Sequence, residues 1–351
     1  MAWKQTIGLL TNELSIDLGS SRTRVWMRGR GLTIDEPSIL VYSNHQSPII
    51  HSYGIEAKIM QGKTPTNMEC TTPYIDGNIH TQLCYELLRE WIRRSIRNQP
   101  IFKPRILVSY PQHITEEQSK LFYQMFYKLG SRDSLFIDNL VCQALGADLP
   151  IQNSKAYMIV DIGQLSTRIG IFSLSSIWKS SHIPVGGFHF DQAIANHLQE
   201  QYYVDIGIRE IESLKVDMAT LSTKTPVRET TINGRFIQQG ATQSCRISNH
   251  SLIPALYNPA KKLCEGIQKI LLGITPEIAQ DILQEGITIC GGTILLSGLQ
   301  EFIETSLQIK VNVPKDPDQC AIRGSATLME DVDITFAFII FLYSLFIKFV
   351  V

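Results

Sequence analysis

The residues best suited to chemistry lie in two short runs of one pattern. Ser15-Ile16-Asp17-Leu18-Gly19-Ser20-Ser21-Arg22-Thr23-Arg24-Val25 and Val160-Asp161-Ile162-Gly163-Gln164-Leu165-Ser166-Thr167-Arg168-Ile169-Gly170 both read Asp-apolar-Gly-x-x-x-Thr-Arg-apolar. Each follows an apolar, strand-like run and leads into another, so each is a strand–turn–strand hairpin. Gly and small residues at a hairpin tip let backbone N–H groups come close to a phosphate. An Asp at the end of the preceding strand can hold the water shell of Mg²⁺, a cation that keeps several waters and takes few carboxylates. A third cluster, Gly291-Gly292-Thr293, follows a strand and would present backbone to a base or sugar. One Asp-x-Gly turn alone is an ordinary β-turn. Two near-copies and a third glycine turn, in this order, point to a nucleotide whose phosphates the two hairpins clamp.

The elements that must position these groups read as α/β. Pro104 to Pro111 is a strand, followed by a helix that opens at Thr115, Glu116 and Glu117. That helix carries Leu121, Phe122, Met125, Phe126 and Leu129 at helical spacing and stops at Gly130. Leu135 to Ile137 is a short strand, and a further helix begins near Cys142. In the second half, Phe190 to Gln201 and Ile208 to Met218 read as helices, Gly286 to Cys290 as a strand, and Arg228 to Arg246 as peripheral strands and loops. Alternating strands and helices predict a mainly parallel sheet in each half.

Composition narrows the function classes. A chain of 351 residues suggests two domains at roughly 150 residues each. With 44% hydrophobic and 19% charged residues it is globular, and 32 Lys+Arg against 33 Asp+Glu gives no electrostatic footprint for nucleic acid. The 7 cysteines form no CxxC pair, and the 8 histidines no HExxH, so zinc ribbons, secreted disulfide frameworks and paired-His metal sites lack support. Ser109 and Ser297 lie in no nucleophile elbow. A reducing cytoplasm is the expected compartment. The start has no signal peptide; Trp3, Ile7 and Leu10 mark one apolar face of a short interfacial arm. Thr335 to Val351 is an apolar run with Lys348 its one charge, which reads as an anchor or as an aberrant end.

Longer runs carry a resemblance. Leu14 to Gly19 with Arg28-Gly29-Arg30-Gly31 and Asp35-Glu36-Pro37-Ser38, Gly54 to Pro65, Asp76-Gly77-Asn78-Ile79, Val185-Gly186-Gly187, Phe190-Asp191-x-Ala193-Ile194, Thr275 to Ile282 and Asp316 to Gly324 are similar, in order and spacing, to the actin-like ATPases and, within them, to the bacterial MreB shape proteins. The resemblance spans about residues 3 to 330, and this chain reads as a divergent member. It implies an α/β, actin-like (ribonuclease H-like) fold of two domains, each a mixed sheet with flanking helices, with ATP and Mg²⁺ in the cleft between. The implied divisions are a first domain at 13–150 with 315–330 and a second at 151–314; composition adds a membrane-binding arm at 1–12 and an apolar tail at 331–351, for which the resemblance gives no support. It also implies a homo-polymer of filaments, cytoplasmic and peripheral at the inner face of the membrane, that works with cell-wall elongation membrane proteins to organise wall synthesis and maintain shape. The Ile101-Phe102 loop matches one that some members insert into lipid.

By the same resemblance, Asp17, Gly19, Ser20, Ser21 and Thr23 form the first phosphate loop, and Asp161, Gly163 and Thr167 the second. Asp17 and Asp161 would hold Mg²⁺ through water. Glu212 and Lys215 would grip ribose and adenine, although such an i,i+3 pair by itself reads as a solvated surface pair. Gly291, Gly292 and Thr293 form the turn beside the nucleoside. Asn139 and Thr167 take the catalytic positions.

The departures bear on rate. The family has three glycines in the second phosphate loop; here Gln164 and Leu165 follow Gly163. Side chains there raise the expectation of a strained, left-handed backbone. Asn139 replaces the glutamate that orients water, and an amide is no carboxylate base. Arg22 enters the first loop, either to pair with a phosphate or to crowd it. Hydrolysis is therefore expected to be slow or lost. Two alternatives stand beside an active filament: a structural or regulatory paralogue without ATPase, and a metabolite kinase of the same fold.

Overall fold

The computed structural model describes residues 11–43, 48–75, 78–96, 102–110, 116–236 and 240–330. The chain divides into two units at Pro150/Ile151 and again at Asp318/Gln319, where it returns to the first.

In the first unit, β1 (Thr11–Leu18), β2 (Arg22–Met27) and β3 (Gly31–Pro37) form an antiparallel meander. The small sheet that follows comprises β4 (Leu40–Ser43), β5 (Ile49–Tyr53) and β6 (Met68–Thr71), with α1 (Gly54–Met60) inserted, and then the pair β7 (Tyr74–Ile75) and β8 (Asn78–Ile79). After α2 (Thr81–Ser95), β9 (Phe102–Tyr110) joins β1 in parallel; after α3 (Glu116–Lys128), β10 (Asp133–Asp138) joins β9 in parallel. α4 (Asn139–Gly146) leaves the end of β10. Leu14, Ile16, Val25, Ile106 and Val108 meet Leu83, Leu87 and Trp91 of α2 and Phe122 and Phe126 of α3 in one core. Each such side chain contributes roughly 1.5–3 kcal/mol on burial. The predicted apolar face of α3 holds for Phe122, Met125 and Phe126, but Leu121 is exposed. Gly130, at φ +83°, ends that segment in a backbone conformation that L side chains resist.

The second unit repeats the plan. β11 (Tyr157–Ile162), β12 (Thr167–Ser173) and β13 (Ser176–Ile183) form the meander. α5 (Gly187–Tyr202), β14 (Val204–Asp205) and α6 (Ile208–Asp217) lead to the antiparallel pair β15 (Glu229–Phe236) and β16 (Thr242–Ser248). α7 (Ile253–Leu271) and α8 (Pro276–Glu285) precede β17 (Ile287–Cys290), which is parallel to β11. α9 (Leu299–Leu307) precedes β18 (Val311–Asn312), parallel to β17. Val160, Ile162, Ile169 and Ile171 pack on Phe190, Ile194 and Leu198 of α5 and Leu256 and Leu263 of α7. α10 (Cys320–Glu330) then packs in the first unit.

The sheet orders are β10-β9-β1-β2-β3 and β13-β12-β11-β17-β18. Each is a meander with two parallel strands added beside its first strand, so the sheets are mixed rather than mainly parallel. The hairpins that carry the repeated pattern supply the antiparallel half, because a short turn can join only antiparallel neighbours. Among the described residues, no helix is long and apolar enough to cross a membrane. The arm at 1–12, apart from the start of β1, and the tail at 331–351 lie outside the described residues, as do Ile101 and Thr115.

Candidate functional site

Both repeated hairpins close in one way. The Gly19 N–H donates to the Arg22 carbonyl at 3.1 Å, and the Gly163 N–H to the Ser166 carbonyl at 3.0 Å. A Cβ on Gly19 would stand 2.7 Å from that carbonyl oxygen, so the turn demands glycine for space. In register, Asp17 lies opposite Arg24, and Asp161 opposite Arg168. The hairpins and the third glycine cluster distribute over the units as two groups, each complete within its unit.

In the first unit, the Ser38 hydroxyl donates to the Gly19 carbonyl at 2.6 Å, so the buried Thr23 hydroxyl, 2.7 Å away, donates to Ser38. Thr23 thus braces the turn from behind. Ser20 and Ser21 form its tip, and among the described residues no acceptor takes their N–H groups. Asp17 is buried at the end of β1, beside Ser109 of β9. Asp138 caps α4 by accepting the Leu140 N–H at 2.9 Å. That places Asn139 in the first turn, where its amide donates to Asp17 Oδ1 at 3.2 Å and to Ser109 Oγ at 3.0 Å. Arg22 is engaged elsewhere: its Nε meets Asp35 Oδ1 at 2.7 Å and its Nη2 the Asp35 carbonyl at 2.7 Å. Asp35, one strand over, draws it away from the tip.

In the second unit, the start of α5 clamps the turn. The Gly187 N–H donates to the Gly163 carbonyl at 2.9 Å and the Phe188 N–H to the Gln164 carbonyl at 2.7 Å. Gly186 permits this approach, since a Cβ there would stand 2.6 Å from the Gly163 oxygen. The Thr293 hydroxyl donates to the same Gly163 carbonyl at 2.8 Å. Gly291, at φ +91°, brings its backbone against Asp161 and Ile162. Gly292 opens the short 3-10 turn that carries Thr293. Thr167 is buried and donates to the Val185 carbonyl at 2.7 Å, a bracing role like that of Thr23.

Gln164 and Leu165 do not take the left-handed backbone expected of them; neither is among the residues with positive φ. The glycine requirement around this turn falls on Gly186, where a Cβ has no room, and on Gly291, where space and a positive φ both demand it. The Gln164 amide instead reaches Asp191 of α5, donating to Oδ2 at 3.0 Å. Lys215 of α6 stands 2.7 Å from Asp191 Oδ1 and also donates to the Gly187 carbonyl at 3.2 Å. Burial pushes the Asp191 carboxyl above its usual range, against the pull of Lys215 and of the Gln164 amide; the Glu212 carboxylate pushes it further up. Glu212 and Lys215 do share α6, as their spacing predicts, but the ammonium belongs to a three-residue network with Asp191 and Gln164.

Sequence reasoning missed Ser38, Ser109 and Asp191 as partners. Ser38 and Asp191 stood in the quoted runs, but nothing local marks their contacts. Chemically, each turn presents backbone donors of the kind that suit phosphate oxygens, and the second unit adds the half-buried Lys215 ammonium. Asp17 Oδ1 accepts from the Asn139 amide, and Asp161 Oδ2 carries the Arg168 guanidinium at 3.1 Å.

A model of the family described as MreB/Mbl protein matches residues 11–336. The cell shape-determining protein MreB of Escherichia coli is 29% identical over 335 residues, covering 94% of this chain and 96% of that protein. Among solved structures, MreB5 of Spiroplasma citri bound to AMPPNP superposes with a TM-score of 0.87 at 26% identity, over 93% of this chain and 98% of that one. The MamK double helical filament matches in fold, with a TM-score of 0.75 at 20% identity over 92% of this chain and 99% of that one.

Proposed function

This chain belongs to the MreB/Mbl family, and from that premise we propose that it is a nucleotide-binding, actin-like cytoskeletal protein that maintains cell shape. The observation that carries the reading is the duplicated hairpin: Asp17/Gly19/Thr23 and Asp161/Gly163/Thr167 recur in one register on two sheets of one topology. A relative named as cell shape-determining and an MreB5 that binds AMPPNP support it. In this reading the Gly19 and Gly163 turns hold the phosphates of ATP, Asp17 takes Mg²⁺ through water, and Glu212, Lys215 and Gly291 to Thr293 surround the nucleoside. The chain polymerises with itself. Residues 1–12 and 331–351 contact the inner face of the membrane, where the filament works with cell-wall elongation proteins. A degenerate, non-hydrolysing member has a specific observation in its favour: the Asn139 amide nitrogen donates to Asp17 and Ser109, and an amide does not take a proton from water as a carboxylate base would.

The test is titration calorimetry of the full chain with AMPPNP and Mg²⁺. Replacing Asp17 by Ala should weaken binding by about tenfold, the equivalent of one charge-assisted contact. Equal affinity in the parent and in Asp17→Ala contradicts the assignment of the first hairpin.

A further inference from the structure

Gln164 is clasped to α5 twice. Its backbone carbonyl accepts the Phe188 N–H at 2.7 Å, and its side-chain Nε2 donates to Asp191 Oδ2 at 3.0 Å. Asp191 is buried, and its other oxygen, Oδ1, stands 2.7 Å from Lys215 Nζ on α6. Gly187 leaves the room for this: a Cβ there would stand 2.6 Å from Gln164 Oε1 and 2.9 Å from Thr293 Oγ1. A carboxylate held at both oxygens cannot turn about its own axis, so Gln164 fixes the direction in which Oδ1 meets the ammonium. The lysine stem is flexible, and its ammonium is a point charge without a preferred plane. Its position is therefore set by its acceptors, Asp191 Oδ1 and the Gly187 carbonyl at 3.2 Å.

We propose that Gln164 is a positioning residue for the nucleotide: through Asp191 it holds the Lys215 ammonium at the nucleoside side of the site, so that the Gly163 turn and α6 act on the ligand as one piece. The inference rests on the nucleotide reading above and deepens it. A lysine already held in place gives up little further freedom when a ligand arrives, and preorganisation of this kind raises affinity. Without the Gln164 amide, Asp191 Oδ2 stays buried but loses a donor, and a buried carboxylate that loses a donor is held less well in its charged form. Burial already pushes the Asp191 carboxyl up, while Lys215 and the Gln164 amide pull it down. Removing the amide therefore weakens the partner that fixes the ammonium. Glu212 lies on α6 with Lys215, so the link reaches the helix that carries both side chains assigned to the nucleoside. A glycine at position 164, as in the three-glycine turn of the family, has no side chain with which to make it.

The experiment is a double-mutant cycle, read by calorimetry of AMPPNP binding in MgCl₂ on the full-length parent, Gln164→Met, Lys215→Met and the double variant. Gln164→Met keeps the length of the side chain and loses the donor; it should weaken binding by about three- to tenfold. Lys215→Met should weaken it by about tenfold. Because Gln164 acts through Lys215, the two losses should not combine: the double variant should bind within about twofold of Lys215→Met. Losses that multiply overturn the inference and leave Gln164 a brace of the turn alone. Parental affinity in either single variant overturns it as well. If Gln164→Met does not fold, Asp191→Asn, which cuts the same link at its middle, takes its place in the cycle and is judged by the same outcomes. A parent that binds AMPPNP while the losses multiply overturns this inference and spares the nucleotide reading. A parent that does not bind AMPPNP overturns the nucleotide reading, and this inference with it.

Discussion

At the scale of residues, Asn139 decides what the first hairpin does. Its amide donates to Asp17 Oδ1 and Ser109 Oγ, both buried. A glutamate in its place would set two carboxylates together unless a cation or proton lay between them. Loss of a positioned base forfeits about 10²–10⁴-fold in rate. ATP turnover should accordingly be slow, and Asn139→Glu combined with Gln164→Gly and Leu165→Gly should raise phosphate release by at least about tenfold, part of that span. No gain would mean that the Asn139 amide is not what limits hydrolysis. The residues differ in how far the sequence discloses them. The Asp-x-Gly turns are legible because turn chemistry is local. The Asp191–Lys215 pair is not, because its members lie on different helices and nothing near either one names the other. Arg22 is misleading for the same reason: Asp35, its partner, sits on the neighbouring strand.

At the scale of elements, most boundaries follow from period and punctuation, and the failures have tertiary causes. Leu121 has the spacing of a core residue yet is exposed, so the buried stripe of α3 is narrower than its apolar pattern. The crossing of α4 and α10 is another such case. A Cβ on Gly146 would stand 1.8 Å from the Cys320 carbonyl oxygen, and one on Gly324 would stand 1.9 Å from that of Cys142. The helices meet backbone to backbone, and Arg323 donates to the Gly146 carbonyl through Nη2 at 2.8 Å. By sequence alone, Gly324 is merely a weak point in a helix, where Ala would stabilise by about 1 kcal/mol. The crossing reverses the sign: Gly324→Ala should destabilise by about 1–3 kcal/mol through overpacking. The urea midpoint is the measurement. A higher midpoint in the variant contradicts this packing.

At the scale of the whole molecule, the two sheets share one topology, and the repeat seen as a few residues extends to five strands in each unit. That duplication was partly legible: the two Asp-x-Gly runs announce it, while the parallel strands β9, β10, β17 and β18 carry no matching motif. A nucleotide-dependent polymer and a kinase of related fold part company in sedimentation of the purified full chain with and without ATP, with electron microscopy of the pellet. Filaments are expected in the pellet with ATP, and their loss in Asp17→Ala. A chain that stays in the supernatant at every concentration, with or without ATP, would contradict the polymer reading.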